Sequence, residues 1–108
     1  MGQLLHHKNG LKNQRRKNMA SSFYALERMV KGFANHRRIE ILSLLQSTPE
    51  QSVEEITEKL KVNFRTTSVH IQRLAAAGLV LKRNAGQAVR HKITDRGIKV
   101  LTFLRTLE

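Results

Sequence analysis

The stretch "TTSVHIQRLAAAGLV", residues 66–80, decides the fold of this chain. Its apolar residues recur at helical spacing, and a helical wheel places Thr67, Ile71 and Leu74 on one face. We therefore predict a helix over about residues 64–77, with this face turned into a core. The glycine and two aliphatics that follow are typical of a helix that ends and folds back onto that core.

The opposite face of the helix carries polar and basic side chains and one aliphatic. Its residues are Arg65, Ser68, Val69, Gln72 and Arg73, with Thr66 near the helix start. No acidic residue occurs between Lys59 and Arg90. Arginine can read guanine, glutamine can read adenine and valine can contact the thymine methyl, so this face suits a DNA major groove. A helix that only builds the core would explain its inner face but not its outer one.

A second short helix precedes this one. Ser52 with Glu55 three residues later fits a capping box and predicts a helix that runs to about Leu60. Asn63, at the end of a tight turn, can cap the following helix. Two short helices joined by a turn of about three residues form the helix-turn-helix outline.

The residues after Gly78 change period and predict a β-hairpin, with a turn at residues 84–87. Its basic tip and flanks, residues 81–93, are expected to act as a wing beside the helix. Four side chains are predicted to reach the DNA backbone or the minor groove: Lys82, Arg83, Arg90 and Lys92. A solvated hairpin with no partner is the alternative.

A last helix, capped by Thr94, has an apolar face that is too wide for a helix lying on a small core. We expect a second surface, and a homodimer formed by the first and last helices is the simplest explanation. The predicted interface residues are Leu26, Met29, Val30, Leu101, Leu104 and Leu107.

The whole chain of 108 residues has a formal net charge of +12 and no cysteine. Such basicity favours a polyanionic partner, and the missing cysteines exclude disulfides and thiolate metal sites. The scattered histidines indicate no metal site, and no cofactor is expected.

No catalytic constellation occurs, so we predict a non-enzyme. No apolar run is long enough for a membrane span, so we expect no membrane partner. We expect a cytoplasmic, nucleoid-associated location.

Residues 1–19 are basic, contain no acid and show no sustained apolar period. We predict a flexible arm followed by a DNA-binding domain over residues 20–108. A DNA-contacting role for the arm and a native start at Met19 both stay open.

The segment "VNFRTTSVHIQRLAAAGLVLKR" resembles the recognition-helix signature of the winged-helix ArsR family. The matching residues are Ser68, His70, Ile71, Leu74 and the run Ala77, Gly78, Leu79 and Val80. Upstream, "LERMVKGFANHRRIEILSLLQ" is similar to the family's opening, and the closing "KITDRGIKVL" is equally similar to MarR-type winged helices.

The resemblance implies a dimeric, repressor-type regulator that binds double-stranded DNA. It has a mostly α winged helix-turn-helix fold with four to five helices and a two-stranded wing. It also implies base contacts from Phe64, Arg65, Ser68 and Val69, and phosphate contacts from Thr66 and Gln72. The family's sensing cysteines are absent from "SVEEIT", so metal sensing does not carry over. RNA binding and a protein-contact role for the winged helix remain the alternatives.

Overall fold

Five helices and a two-stranded antiparallel hairpin form the part of the chain that the computed structural model describes, residues 21–108. They follow the order α1 (Phe23–Phe33), α2 (His36–Ser47), α3 (Val53–Leu60), α4 (Phe64–Ala76), β1 (Val80–Ala85), β2 (Ala88–Ile93) and α5 (Asp95–Thr106). This confirms the predicted winged helix-turn-helix fold. The arm predicted for residues 1–19 lies outside the described residues.

Each of these helices begins at a side chain that accepts backbone amide hydrogens. The capping residues are Ser22, Asn35, Ser52, Asn63 and Thr94. The predicted capping box at α3 is complete, because Ser52 accepts from the amide of Glu55 at 3.1 Å and the Glu55 carboxylate accepts from the amide of Ser52 at 2.9 Å. Local sequence therefore fixes where the helices begin.

The core is aliphatic and draws on four of the helices and both strands. Its buried members are Ile41, Leu42, Leu45, Ile56, Ile71, Leu74, Leu79, Val80, Ile93 and Leu101. The predicted inner face of α4 is confirmed, since Thr67, Ile71 and Leu74 are each at most 1% exposed. The prediction that Leu101 forms a dimer surface is wrong: it is 5% exposed and packs inside the protomer. The reason is that it lies one turn after buried Gly97, on the inner face of α5.

The junction between α4 and the hairpin turns at Gly78, whose φ of +75° is left-handed, as predicted. The amide of Leu79 donates to the carbonyl of Leu74 at 2.9 Å, and the amide of Thr94 donates to the carbonyl of Leu79 at 3.0 Å. Both ends of the hairpin are thus held at the end of α4. The turn itself is Gly86-Gln87, tighter than the expected residues 84–87, because Ala85 and Ala88 still pair.

Candidate nucleic-acid interface

The start of α4 is fixed by Asn63. Its side-chain oxygen accepts from the amides of Arg65 at 2.8 Å and Thr66 at 3.2 Å. The buried hydroxyl of Thr67 donates to the backbone carbonyl of Asn63 at 3.0 Å, so this polar group is satisfied inside the core. These bonds fix where α4 begins and satisfy the polar groups of its first turn.

The outer face of α4 is accessible. Phe64 and Val69 are 50% and 42% exposed, and Ser68 is half-buried. The remaining residues expected on this face are all exposed: Arg65, Thr66, Gln72 and Arg73. The structure therefore brings the predicted base-contacting and phosphate-contacting residues of α4 onto one continuous surface.

Arg73 lies at the edge of that surface. It follows Arg65 by eight residues, which is about 12 Å along the helix axis. It also lines a cavity between α4 and α1 together with Arg28 and Arg38. Of the polar residues expected on the outer face, it is the one that lines this cavity beside α1.

The wing is an antiparallel hairpin in which Leu81 pairs with Lys92, Lys82 with His91 and Arg83 with Arg90. Paired residues share a face of the ribbon, so Lys82 and Lys92 lie on opposite faces. Both lysines are exposed and make no ion pair among the described residues.

The two wing arginines are held by carboxylates of the helix-turn-helix. Nε of Arg83 lies 3.0 Å from the carboxylate of Glu50. Nη1 of Arg90 lies 2.9 Å from the carboxylate of Glu55 and donates to the carbonyl of Glu50 at 3.1 Å. We expected both arginines to reach the DNA backbone or the minor groove, and the structure shows that each also meets a carboxylate. These two ion pairs could not be predicted from the sequence, because the paired residues are more than 30 residues apart.

Glu55 has two functions at this junction. The amide of Ser52, followed by the charge of Arg90, holds the pKa of its carboxyl below the usual value. The capping box was predicted from the sequence, and it places the Glu55 carboxylate at the start of α3. The arginine that meets it comes from β2 and could not be read in the same way.

A short backbone bridge joins the wing to the segment before α3. Gln51 pairs with His91, with the amide of His91 donating to the carbonyl of Gln51 at 2.9 Å and the reverse bond at 3.3 Å. Nδ1 of His91 donates to the same carbonyl at 2.9 Å. His91 lies on β2 of the wing and is 1% exposed where it pairs with Gln51. The wing therefore has a fixed orientation relative to α4.

The other side of α4 is tied to α1 and α2 through Arg38. Its Nε donates to Nδ1 of His70 at 3.1 Å, and its Nη1 donates to the carbonyls of Lys31 at 3.1 Å and Gly32 at 3.3 Å. Burial, followed by the charge of Arg38, lowers the pKa of His70, so the ring is a neutral acceptor. Burial, followed by the charge of Arg73, lowers the pKa of Arg38.

The remaining expected interface residues lie on or near an exposed apolar surface. Leu26, Val30 and Leu107 are 42%, 49% and 66% exposed, while Met29 and Leu104 are half-buried. Four large apolar side chains that were not in the predicted set are exposed on the same two helices: Phe23, Tyr24, Ile98 and Phe103. Exposed apolar area of this kind is typical of a surface that another protein covers.

Among residues 21–108, no group of three or more histidine, aspartate or glutamate side chains is arranged to hold a metal ion. None of the described helices combines the length and the apolar character that a bilayer crossing requires.

Residues 35–80 match the family model described as winged helix-turn-helix DNA-binding. The chain is 35% identical over 77 residues to the HTH-type transcriptional regulator Rv0324 of Mycobacterium tuberculosis, a match that covers 71% of this chain and 34% of that protein. It is 32% identical over 76 residues to the transcriptional activator HlyU of Vibrio cholerae, which covers 70% of this chain and 69% of HlyU. The chain thus spans about a third of the mycobacterial relative.

Several solved structures are similar over most of the fold, and one of them is described as a homodimer. It is the solution NMR structure of the homodimeric winged helix-turn-helix DNA-binding domain of a possible ArsR-family transcriptional regulator from Mycobacterium bovis. The TM-score is 0.70 at 28% identity, over 82% of this chain and 89% of that one.

Proposed function

The chain belongs to the ArsR-type winged helix-turn-helix transcriptional regulators, and we propose that it binds operator DNA as a homodimer. The observation that carries this proposal is the outer face of α4. It is exposed, free of acid and held by Asn63 at one end and Gly78 at the other. In this proposal α4 is the recognition helix.

We propose that the N-terminal half of α4 enters the major groove and reads bases. The proposed base contacts are Phe64, Arg65, Ser68 and Val69. Arg65 has no side-chain hydrogen bond to the described residues, so its fork of donors is available for a guanine edge. Half-buried Ser68 is limited to a short reach, which suits a base edge or phosphate directly below the helix.

Phosphate contacts fix the register of a DNA-binding protein without reading sequence. We propose them for Thr66, Gln72, Arg73, Lys82, Arg83, Arg90 and Lys92. Within this set, the exposed lysines of the wing support the strongest attraction, because Arg83 and Arg90 already meet carboxylates. Each neutralised phosphate steepens the salt dependence of log K by about 0.9, so binding should weaken sharply with salt.

We propose that the exposed apolar side chains of α1 and α5 form the dimer interface. Leu26 and Val30 on α1 and Leu107 after α5 support it by their exposure. The homodimeric relative from Mycobacterium bovis supports the assembly. A two-fold dimer presents two copies of α4, so the operator should be an inverted repeat.

Repression is the direction of regulation that we propose, because it requires only that the dimer occupy DNA needed by the polymerase. HlyU of Vibrio cholerae is an activator, so transcription from the bound promoter in a purified system must test this point. For the domain over residues 20–108 we propose the role of a DNA-binding regulator without catalysis that acts in the cytoplasm at the nucleoid. The arm at residues 1–19 is proposed as an additional basic segment.

Selection of bound duplexes from a random pool tests the proposal. Wild-type protein should enrich an inverted repeat. Arg65→Ala should lose discrimination of about 1–3 kcal/mol at one base position of each half-site. Lys82→Ala should instead weaken binding to all duplexes alike and reduce the salt slope by about 0.9.

The control is Lys99→Ala, which removes an exposed charge from α5 and should change neither quantity. No enriched sequence, or tighter binding to RNA hairpins than to any duplex, would contradict the proposal.

A further inference from the structure

A cavity of about 420 Å³ opens between α1, the C-terminal half of α4 and the start of α5. This volume lies within the range of about 300–1,000 Å³ that is usual for small-molecule sites. Part of its wall is apolar, from Ala25, Met29, Ala76 and Ala77. The cavity is therefore large enough for an organic molecule and not only for an ion.

Most of the remaining wall is cationic. Four arginines and one lysine line the cavity: Arg28, Arg38, Arg73, Arg96 and Lys31. None of its lining residues is acidic. Lys31 has a carboxylate partner, Glu27, at 3.0 Å, but the four guanidinium groups form no salt bridge among the described residues. Residues 1–20 contain no aspartate or glutamate, so their side chains supply no carboxylate either.

Two of the guanidinium groups are held in place by backbone carbonyls. Arg38 donates to the carbonyls of Lys31 and Gly32, and Arg96 donates to the carbonyl of Ala77 at 3.0 Å. Neutral carbonyls orient these groups without cancelling their charge. Nε of Arg38 also donates to His70, so Nη2 of Arg38 and the remaining donors of Arg96 are left for phosphate oxygens. Because both groups are already held, little side-chain freedom is lost on binding.

The cavity shares Arg73 with the proposed DNA-binding surface and Met29 with the predicted dimer interface, but none of the other residues proposed for those surfaces lines it. At 100° per residue, Ala25, Met29 and Gly32 fall on one side of α1, and Leu26 and Val30 lie roughly a third of a turn away. Leu26 and Val30 therefore stay outside the cavity, whereas Met29 lines it.

We propose that this cavity binds a small phosphorylated organic molecule, with Arg28, Arg38, Arg73 and Arg96 around the phosphate and the alanines and Met29 against its apolar part. The proposal goes beyond DNA binding and does not rest on it, because it concerns the free protein.

Phenyl phosphate, which joins a phosphate dianion to an apolar ring, is the probe. It is titrated at pH 7.5 and physiological salt into isotope-labelled full-length protein, and backbone amides are followed by NMR. Saturable shifts should centre on Gly32, Ala76 and Ala77. Inorganic phosphate should bind at the same residues but more weakly, and phenol should cause no such shifts.

Arg28→Gln and Arg73→Gln should each weaken phenyl phosphate binding about tenfold, as expected for the loss of one hydrogen bond to a charged group. Lys99→Gln makes the same charge change elsewhere and should leave the affinity within about twofold. Circular dichroism would show that the variants are folded.

Three outcomes would overturn the proposal. The first is the absence of saturable shifts. The second is an equal loss of affinity in Lys99→Gln, which would show general attraction to a basic protein. The third is a loss of DNA affinity in Arg28→Gln without any phenyl phosphate binding by the wild type, which would assign the cavity to the DNA backbone.

Discussion

Nε of Arg38 donates a hydrogen bond of 3.1 Å to Nδ1 of His70, and so joins α2 to α4 across 32 residues of sequence. The same guanidinium holds the end of α1 through the carbonyls of Lys31 and Gly32. One side chain therefore connects the first helix of the described fold to the helix that we propose reads DNA.

This bond makes stability depend on pH. Burial, then Arg38, His36 and Arg37, lower the pKa of His70 below its usual value of 6.5. The unfolded chain thus takes up the proton first as pH falls through 6.5, so the contribution of His70 to stability is complete above that pH and declines below it. We expect the urea midpoint to fall on acidification from pH 7.

His70→Gln is the comparison for that measurement, because its amide oxygen can still accept from Arg38 but does not titrate. The variant should lose less stability than the wild type between pH 7 and the acid range. Identical pH profiles for the two proteins would show that His70 does not contribute.

The close contact of α1 with α4 predicts the effect of a methyl group at Gly32. A Cβ there would lie 2.5 Å from the Cβ of Ala77. Gly32→Ala should therefore destabilise the fold by about 1–3 kcal/mol in urea unfolding. The double variant with Ala77→Gly should recover most of the loss, whereas additive losses would mean that the two positions are independent.

The ion pairs of the wing predict a gain in DNA binding. Glu50→Gln removes the charge that lies 3.0 Å from Arg83. The pair is exposed, so stability should change by no more than about 1 kcal/mol. The freed arginine should strengthen duplex binding and steepen the salt slope by up to about 0.9, as measured by fluorescence anisotropy in a salt series.

Glu58→Gln is the matched control, since this exposed glutamate on α3 forms no ion pair among the described residues. It should leave the slope unchanged. Weaker binding by Glu50→Gln would show that the ion pair matters because it orients the wing.

The proposed dimer predicts the effect of a charge on α1. Val30→Asp places a carboxylate where a side chain is 49% exposed in the protomer and buried in the proposed interface. Sedimentation should then give a monomer, and affinity for an inverted repeat should fall towards that for a single half-site.

Leu81→Asp is the matched change, because it charges an apolar residue that is 55% exposed on the wing. This variant should sediment as the wild type does. A Val30→Asp protein that remains a dimer would remove α1 from the interface.

Much of this fold follows from short-range signals. The helical period of residues 66–80, the capping residues Ser52 and Asn63, and the left-handed Gly78 all act within a few residues, and the structure has each where it was predicted. These signals are local steric and hydrogen-bonding preferences, so they can be recognised in a single sequence.

The contacts that hold the residues of the site could not be predicted from the sequence. Arg90 meets Glu55 only because α3 packs beside β2, and His91 is buried only because Gln51 bridges to it. Leu101 looked like surface because its helix is apolar on several sides, and only the packing of α5 on α2 decides which side is inside. Each of these facts depends on contacts between segments far apart in the chain.

The bridge between Gln51 and His91 has a thermodynamic consequence. A wing that already has one orientation gives up little configurational entropy when it meets a duplex. The DNA rather than the wing must therefore change shape to fit the complex. DNA sites whose base steps bend easily or whose minor groove narrows easily should be favoured, even at positions that no side chain touches.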